Sequence, residues 1–224
     1  MTTVPNSPIR MSDLSAAFNL GNNLAGYYNA RWYKENNSRG YFVSSGTISM
    51  SDFAGTRNTS PVVAGSATYY SSQNITLPVF NSLTITVKGG NGGTAGTGGN
   101  CAGAGPGGAG YDTTVAGYVT ASGGSANGGT GATATTSRSI NDSNQASILA
   151  LYGTQPYGTV GSGGGGGATG YNTRSVFTCT RYDWVNAGWG DVYTCVQGYT
   201  SSYCDSATGA GSAGAAGYIQ LSWS

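Results

Sequence analysis

The chain has 224 residues, a formal net charge of +1, 8% charged side chains, no histidine and 40 glycines. Near-neutral charge, with seven arginines and two lysines, leaves no electrostatic footprint for nucleic acid, and 38% hydrophobic content argues against charge-driven disorder. No apolar run reaches the roughly 20 residues that span a bilayer, and the opening MTTVPNSPIRMSD has no apolar signal core. The expectation is a soluble chain of one or two domains, with no membrane insertion and no secretory address.

Residues 1–57 read as an N-terminal docking segment with short helices. Ser12 is placed to cap a helix whose first turn holds Asp13. Leu14, Ala17 and Phe18 then recur at helical spacing, and the helix should stop near Asn19–Gly21. Leu24, Tyr27 and Tyr28 follow, then a polar stretch with Arg31, Lys34, Glu35 and Arg39. A second Met-Ser-Asp at Met50–Asp52, followed by Phe53, reads as a second capped turn that Gly55 ends. Leu14, Phe18, Tyr27, Tyr28 and Phe53 are the candidate docking side chains.

Residues 58–82 read as a connecting β and loop region. They hold two β-prone runs, Thr68–Tyr70 and Ile75–Phe80, and Pro78 places the second at a sheet edge. Leu83–Val87 alternates strictly between apolar and polar residues and is the clearest strand of the chain. The chain ends on a second alternating run from Ile219 to Trp223, and the two runs are expected to pair and close a Gly-rich unit spanning 83–224.

Within that unit glycine falls on a period of three. Positions 90, 93, 96, 99, 105 and 108 are all Gly, with Ala102 in the gap; the neighbouring phase from 89 holds Gly, Ala and Cys101 only. Asn91, Thr94, Thr97, Asn100 and Pro106 occupy the third phase. Gly211, Gly214 and Gly217 repeat the sorting, which is blurred at 123–133 and 161–170. Three residues per turn is the polyproline II repeat. Two bare phases let backbones approach closely, so that their N–H and C=O groups bond to neighbouring helices. The fold class expected is mainly β with polyglycine II-like packing; a β-sandwich with Gly-rich loops is the alternative. Flexible linkers do not sort their phases in this way, and collagen needs more than the six prolines present.

Aromatic segments at 111–122, 132–157 and 171–208 separate the Gly tracts. In the second, Asn141–Tyr152 reads as a helical turn or packing patch. The third reads as a long β-hairpin turning at Asn186–Gly188, with Tyr182, Trp184 and Trp189 near its tip. Tyr182, Asp183, Trp184, Trp189, Asp191 and Tyr193 are the candidate receptor- or partner-binding residues. Exposed aromatic faces stack on sugar rings and anchor protein interfaces; a small hairpin core and packing between subunits are the competing readings. Asp183 and Asp191 flank the turn and are placed to face each other, though solvated turn acids is the blander account. The four cysteines form no C-x-x-C pair. Either they are buried thiols, or some are bridged, with Cys179–Cys195 the favoured disulfide. No metal site, cofactor or enzymatic activity is expected: without histidine the usual base of a Ser or Cys triad is missing, and two aspartates alone do not satisfy Ca²⁺.

Ile9-x-Met11-Ser12-Asp13-Leu14, Phe18, Leu24, Tyr27-Tyr28 and Ser45-Gly46-x-Ile48-Ser49-Met50-Ser51-Asp52-Phe53-x-Gly55 resemble the N-terminal segment of tailed-bacteriophage tail and virion proteins. The rest resembles phage Gly-rich domains that open on a strand like LTITVKGG and close on one like GYIQLSW. Its alternation of Gly tracts with aromatic segments is similar to the fibre-tip adhesins of T-even-type phages, although its tracts are fewer and less regular. The resemblance implies a virion location, other virion proteins as partners, and a host cell-surface receptor (a glycan or an outer-membrane protein) met by the loops between Gly tracts. Fibres being commonly trimeric, it also makes a homotrimer an expectation. A capsid- or tail-decorating protein without receptor binding is the alternative, and an ice-binding polyglycine II protein a further one.

Overall fold

The computed structural model describes residues 2–99, 101, 103–186, 188, 190–206 and 209–224. The protein is mainly β, with several antiparallel sheets and two short α-helices.

The first 57 residues enclose their own apolar cluster. Helix α1 (Met11–Phe18) is followed by a 3₁₀ turn at Leu24–Tyr27, the short hairpin β1 (Arg31–Tyr33) with β2 (Arg39–Tyr41), and a second 3₁₀ turn at Met50–Phe53. The two Met-Ser-Asp motifs start their helices in the same way. Asp13 accepts the Arg10 N–H at 2.7 Å and Asp52 accepts the Ser49 N–H at 2.7 Å, so each acid satisfies the backbone donor that the first turn leaves free. The first N-cap is therefore Arg10 and not Ser12, which lies one residue inside the helix. Asn19, in the left-handed region at φ 55°, ends α1.

Leu14, Phe18, Tyr27 and Phe53 do not form a docking surface. They are buried together with Val4, Phe42 and Ile48. Tyr27 and Phe53 meet edge to face at 5.3 Å, and Phe18 lies 5.8 Å from Tyr27, geometries in which ring edges meet ring faces. Tyr28 packs partly against this cluster and donates its hydroxyl to the Gly46 carbonyl. A segment this short buries its largest rings on one another because it has few other apolar groups to enclose.

The next part is a sandwich of two four-stranded antiparallel sheets. One runs β3 (Gly65–Tyr69), β12 (Tyr218–Trp223), β5 (Ser82–Lys88), β8 (Thr133–Ser139); the other runs β4 (Gln73–Asn74), β9 (Tyr157–Thr159), β6 (Thr113–Val115), β7 (Val119–Ala121). The first and last alternating runs pair as expected, Leu83 opposite Trp223 and Val87 opposite Ile219. Their inward residues Leu83, Ile85, Val87, Ile219 and Leu221 form the core with Ile75, Leu77, Phe80, Val115 and Ile148, the last from helix α2 (Gln145–Leu149).

Two expectations are corrected here. Within 58–82 the first β-prone run overlaps β3, but Ile75–Phe80 is not an edge strand: the second strand is β4 at Gln73–Asn74, and Ile75, Leu77 and Phe80 pack into the core from irregular backbone. Segments 111–122 and 132–157 are not free loops, because β6, β7, β8, α2 and β9 lie within them and bury Thr113, Val115, Ala121 and Ile148. In the 111–122 and 132–157 segments the strands β6, β7 and β9 are three residues each, too short for an alternation to stand out beside the Gly tracts.

Between Lys88 and Tyr218 the Gly-rich runs lie side by side, joined by backbone hydrogen bonds on a period of three. Gly90, Gly93 and Gly96 donate to the carbonyls of Tyr111, Gly108 and Gly105; Asn91, Thr94 and Thr97 donate to those of Ala215, Ser212 and Gly209. Gly164, Gly167 and Gly170 donate in turn to Asn91, Thr94 and Thr97, while Gly211, Gly214 and Gly217 donate to Gly167, Gly164 and Gly161. Every third residue thus addresses the same neighbour. A Cβ on Gly90, Gly93, Gly96 or Gly99 would overlap the carbonyls of Ser162, Gly165, Ala168 or Tyr171. The 161–170 run looks unsorted only because Gly165 sits on its open side, where a Cβ meets nothing within 4 Å.

A buried polar junction links the N-terminal part to the sandwich. Asn37 Nδ2 donates to the Phe80 carbonyl and to the Tyr152 hydroxyl, both at 3.0 Å. Arg39 donates to Asn37 Oδ1 at 2.9 Å and to Asn81 Oδ1, while Ser60 Oγ donates to both of these acceptors. Asn37 is fully buried and Arg39 is 6% exposed. Burial lowers the Arg39 guanidinium pKa from its ordinary value. At the rim, Arg31 pairs with Asp142 at 3.0 Å.

Gly164→Ala is expected to destabilise the chain by about 3 kcal/mol, because its methyl would overlap the Gly108 carbonyl, whereas Gly165→Ala stays within about 1 kcal/mol of wild type. Thermal unfolding of the pair checks this. Asn81→Ala, which takes one acceptor from the buried Arg39, is expected to cost about 2 kcal/mol in denaturant unfolding.

Candidate functional site

From residue 171 to 206 the chain leaves the sandwich and forms one ribbon. Strands β10 (Tyr171–Asn186) and β11 (Asp191–Ser206) are 16 residues each and pair antiparallel from Tyr171–Ser206 to Asn186–Asp191. At about 3.3 Å per residue the ribbon is about 50 Å long. Its turn falls between Asn186 and Asp191, slightly beyond the 186–188 expected, and Gly188 there has φ 86°. None of its described residues is buried.

Two disulfides fasten it. Cys101–Cys204 ties the end of the first Gly run to the ribbon base, where Cys204 faces Thr173; Cys179–Cys195, the bridge favoured from sequence, crosses the ribbon further out. An irregularity in register at Cys179–Tyr182 accompanies this second bridge. Gly198 gives room for Phe177, whose ring lies across it where a Cβ would clash. Trp223 covers Gly65 and Trp32 covers Gly40 in the same way, so among the described residues glycine in a strand is roofed by an aromatic ring three times.

The structure brings three of the six candidate residues together. Tyr182 and Tyr193 stack at 5.8 Å with an interplanar angle of 22°, and Trp184, directly opposite Tyr193, has its ring 5.3 Å away. Their exposures of 54%, 57% and 66% leave broad ring area in solvent. Asp191, two residues from Tyr193, shares their face near the turn. Asp183 does not face Asp191. Its cross-strand partner is Thr194, on the other face, and its carboxylate takes the Arg181 guanidinium at 2.6 Å, an exposed pair of small energetic weight. The register put Asn186 opposite Asp191, and this decided the matter. Trp189 lies outside the described residues.

Sequence reading missed that the ribbon is apolar on its second face too. Val185 and Val192 sit directly opposite each other and are exposed, as are Tyr199 and Tyr203 further down. The equal distances of Val185 and Val192 from the turn carried that signal for this pair.

The ribbon base is separated from the N-terminal part by β5 and the Gly runs. Strand β5 begins beside Phe80 and Asn81, which the polar junction holds, and ends at Lys88, where the Gly runs start. The far ends of those runs meet where Gly170 donates to Thr97 and Thr97 donates to Gly209, next to the ribbon base at Tyr171. Among the described residues no group of three or more His, Cys, Asp or Glu side chains is placed to hold a metal ion, and no helix is long and apolar enough to cross a membrane. No family model, curated protein or solved structure matches the chain.

Tyr193→Ala removes the ring that touches both Tyr182 and Trp184. Near-UV circular dichroism is expected to lose intensity, while the main unfolding transition moves by less than about 0.5 kcal/mol, because no residue of the sandwich core touches that ring.

Proposed function

We propose that this chain is a virion protein of a tailed bacteriophage, part of the tail, fibre or baseplate, that binds the host surface through its disulfide-fastened ribbon. The observation that carries the reading is the placement of exposed Tyr182, Trp184 and Tyr193 together on a ribbon clear of both apolar cores. The N-terminal part docks on other virion proteins, and several copies, three by analogy with fibres, present their ribbons together.

The period-three bonding supports polyglycine II packing of the Gly runs. At about 3.1 Å per residue, run 89–99 is then a strut of about 30 Å. Such a strut carries the ribbon outward without a flexible linker and lowers the ordering cost of contact, which is how preorganisation gains affinity. The aromatic face offers stacking area for a glycan or an anchor for an outer-membrane protein, and Asp191 beside it accepts hydrogen bonds.

A second reading rests on the second apolar face. Val185, Val192, Tyr199 and Tyr203 are suited to a neighbouring subunit, in which case the chain decorates capsid or tail without meeting a receptor.

Binding of the fluorescently labelled full chain to a panel of intact bacterial strains separates the two. The receptor reading expects saturable binding to at least one strain, weakened at least about tenfold by Trp184→Ala/Tyr193→Ala with the fold intact by circular dichroism. Folded wild-type protein that binds no strain overturns it in favour of the decorating reading.

A further inference from the structure

We propose that the two cystines make the ribbon a redox-controlled element. With the four thiols free the ribbon is open while the sandwich and the N-terminal part stay folded; oxidation fastens it into the extended form that displays Tyr182, Trp184 and Tyr193.

The ribbon lacks the usual means of holding itself. A two-stranded sheet alone in water is marginally stable, and this one belongs to no larger sheet. Among the described residues none of its side chains joins either apolar core or packs against one. Gly198, in the middle of β11, weakens it further, though Phe177 lies over the gap. Its ion pairs, Arg174 with Asp205 at 3.5 Å and Arg181 with Asp183, are solvated.

All four cysteines of the chain serve this one element. Cys179–Cys195 closes the short loop that holds the whole aromatic face, and Cys101–Cys204 anchors the ribbon base to the Gly runs. The sandwich and the N-terminal part contain no cysteine, so reduction leaves their bonding unchanged.

The bridges are also reachable. Cys101 and Cys204 are exposed, and Cys179 and Cys195 are partly so. Exposed cystines are the ones that exchange with small thiols. A glutathione thiolate attacks one cystine sulfur, breaking the S–S bond and forming a mixed disulfide while the partner cysteine leaves as thiolate. A second glutathione thiolate then displaces the bound cysteine. Two electrons pass from two glutathiones to the cystine, and glutathione disulfide is the product. The reverse sequence, with glutathione disulfide as oxidant, closes the bridge. A reducing cytosol thus holds the ribbon open and an oxidising exterior closes it.

The test uses the full chain, air-oxidised or equilibrated in glutathione buffer at cytosolic poise, with thiols counted by maleimide labelling. Trypsin cleavage is then followed by mass spectrometry after acid quench and reduction. Arg174 and Arg181 lie in the ribbon; Arg39 and Arg57 are buried in the N-terminal part. The expected result is four labelled thiols in the glutathione buffer and cleavage at Arg174 and Arg181 roughly a hundred-fold faster than in the oxidised chain, with Arg39 and Arg57 protected in both. Cys179→Ser/Cys195→Ser is expected to reproduce the faster cleavage at Arg181 without reductant.

Bridges that persist at cytosolic poise overturn the proposal. So do equal protection of Arg174 and Arg181 in both states and cleavage of the whole chain on reduction. The inference stands apart from what the ribbon binds, so its failure leaves the receptor reading untouched.

Discussion

Backbone hydrogen bonds between faces that carry no side chains are the contact on which the outer half of this molecule depends. In the sandwich, Leu83, Ile85, Val87, Ile219 and Leu221 exclude water with apolar surface. Beyond Lys88 the Gly runs have almost none to offer, and backbone N–H and C=O groups there bond to neighbouring runs or to side chains such as Asn127 and Thr113. Such packing has no tolerance for a methyl group at the interfaces: Gly107 faces the Gly93 carbonyl, Gly110 that of Gly90, and Gly214 that of Asn91. On exposed positions side chains return, as at Ala95 and at Thr94, whose hydroxyl bonds Ser212.

The two kinds of core are joined in series. Strand β5 passes directly into the first Gly run and the last Gly run passes directly into β12, and these strands pair with each other. Gly217 shows the seam: its N–H bonds Gly161, and a Cβ there would meet the Lys88 carbonyl and Thr113. A disturbance of the sandwich is therefore passed to the runs, and through the runs to the place where the ribbon begins. Among the described residues the ribbon adds no side chain to either core, and what holds it is the β10–β11 ladder, two covalent bridges and rings such as Phe177 over Gly198.

Much of this was legible in the residues. Strict alternation at Leu83–Val87 and Ile219–Trp223 announced two half-buried strands, since the side-chain period of a strand is two. The phase of glycine announced which positions face a neighbour, since only Gly permits that approach. Cys179 and Cys195 sit nearly symmetrically about the turn, which marked them as cross-strand neighbours. The N-terminal rings were harder to read. Leu14, Phe18, Tyr27 and Phe53 are apolar and closely spaced whether they dock elsewhere or bury one another, and composition cannot distinguish the two. Cys101–Cys204, separated by 103 positions, left no local trace because the two ends meet only after the Gly runs have packed.

The sequence by itself determined the periodicities: which residues alternate, which glycines share a phase, where the hairpin turns and that the chain carries little charge. These are local, because strand and helix repeats are set by backbone geometry over a few residues. Tertiary structure alone decided what each periodic face meets. It turned the N-terminal rings inward, placed Arg39 with Asn37 and Asn81 in a buried junction, gave Asp183 to Arg181 instead of Asp191, and left Tyr182, Trp184 and Tyr193 in solvent. Those outcomes depend on pairings between residues far apart in the chain, whose register is fixed only when whole sheets and runs come together.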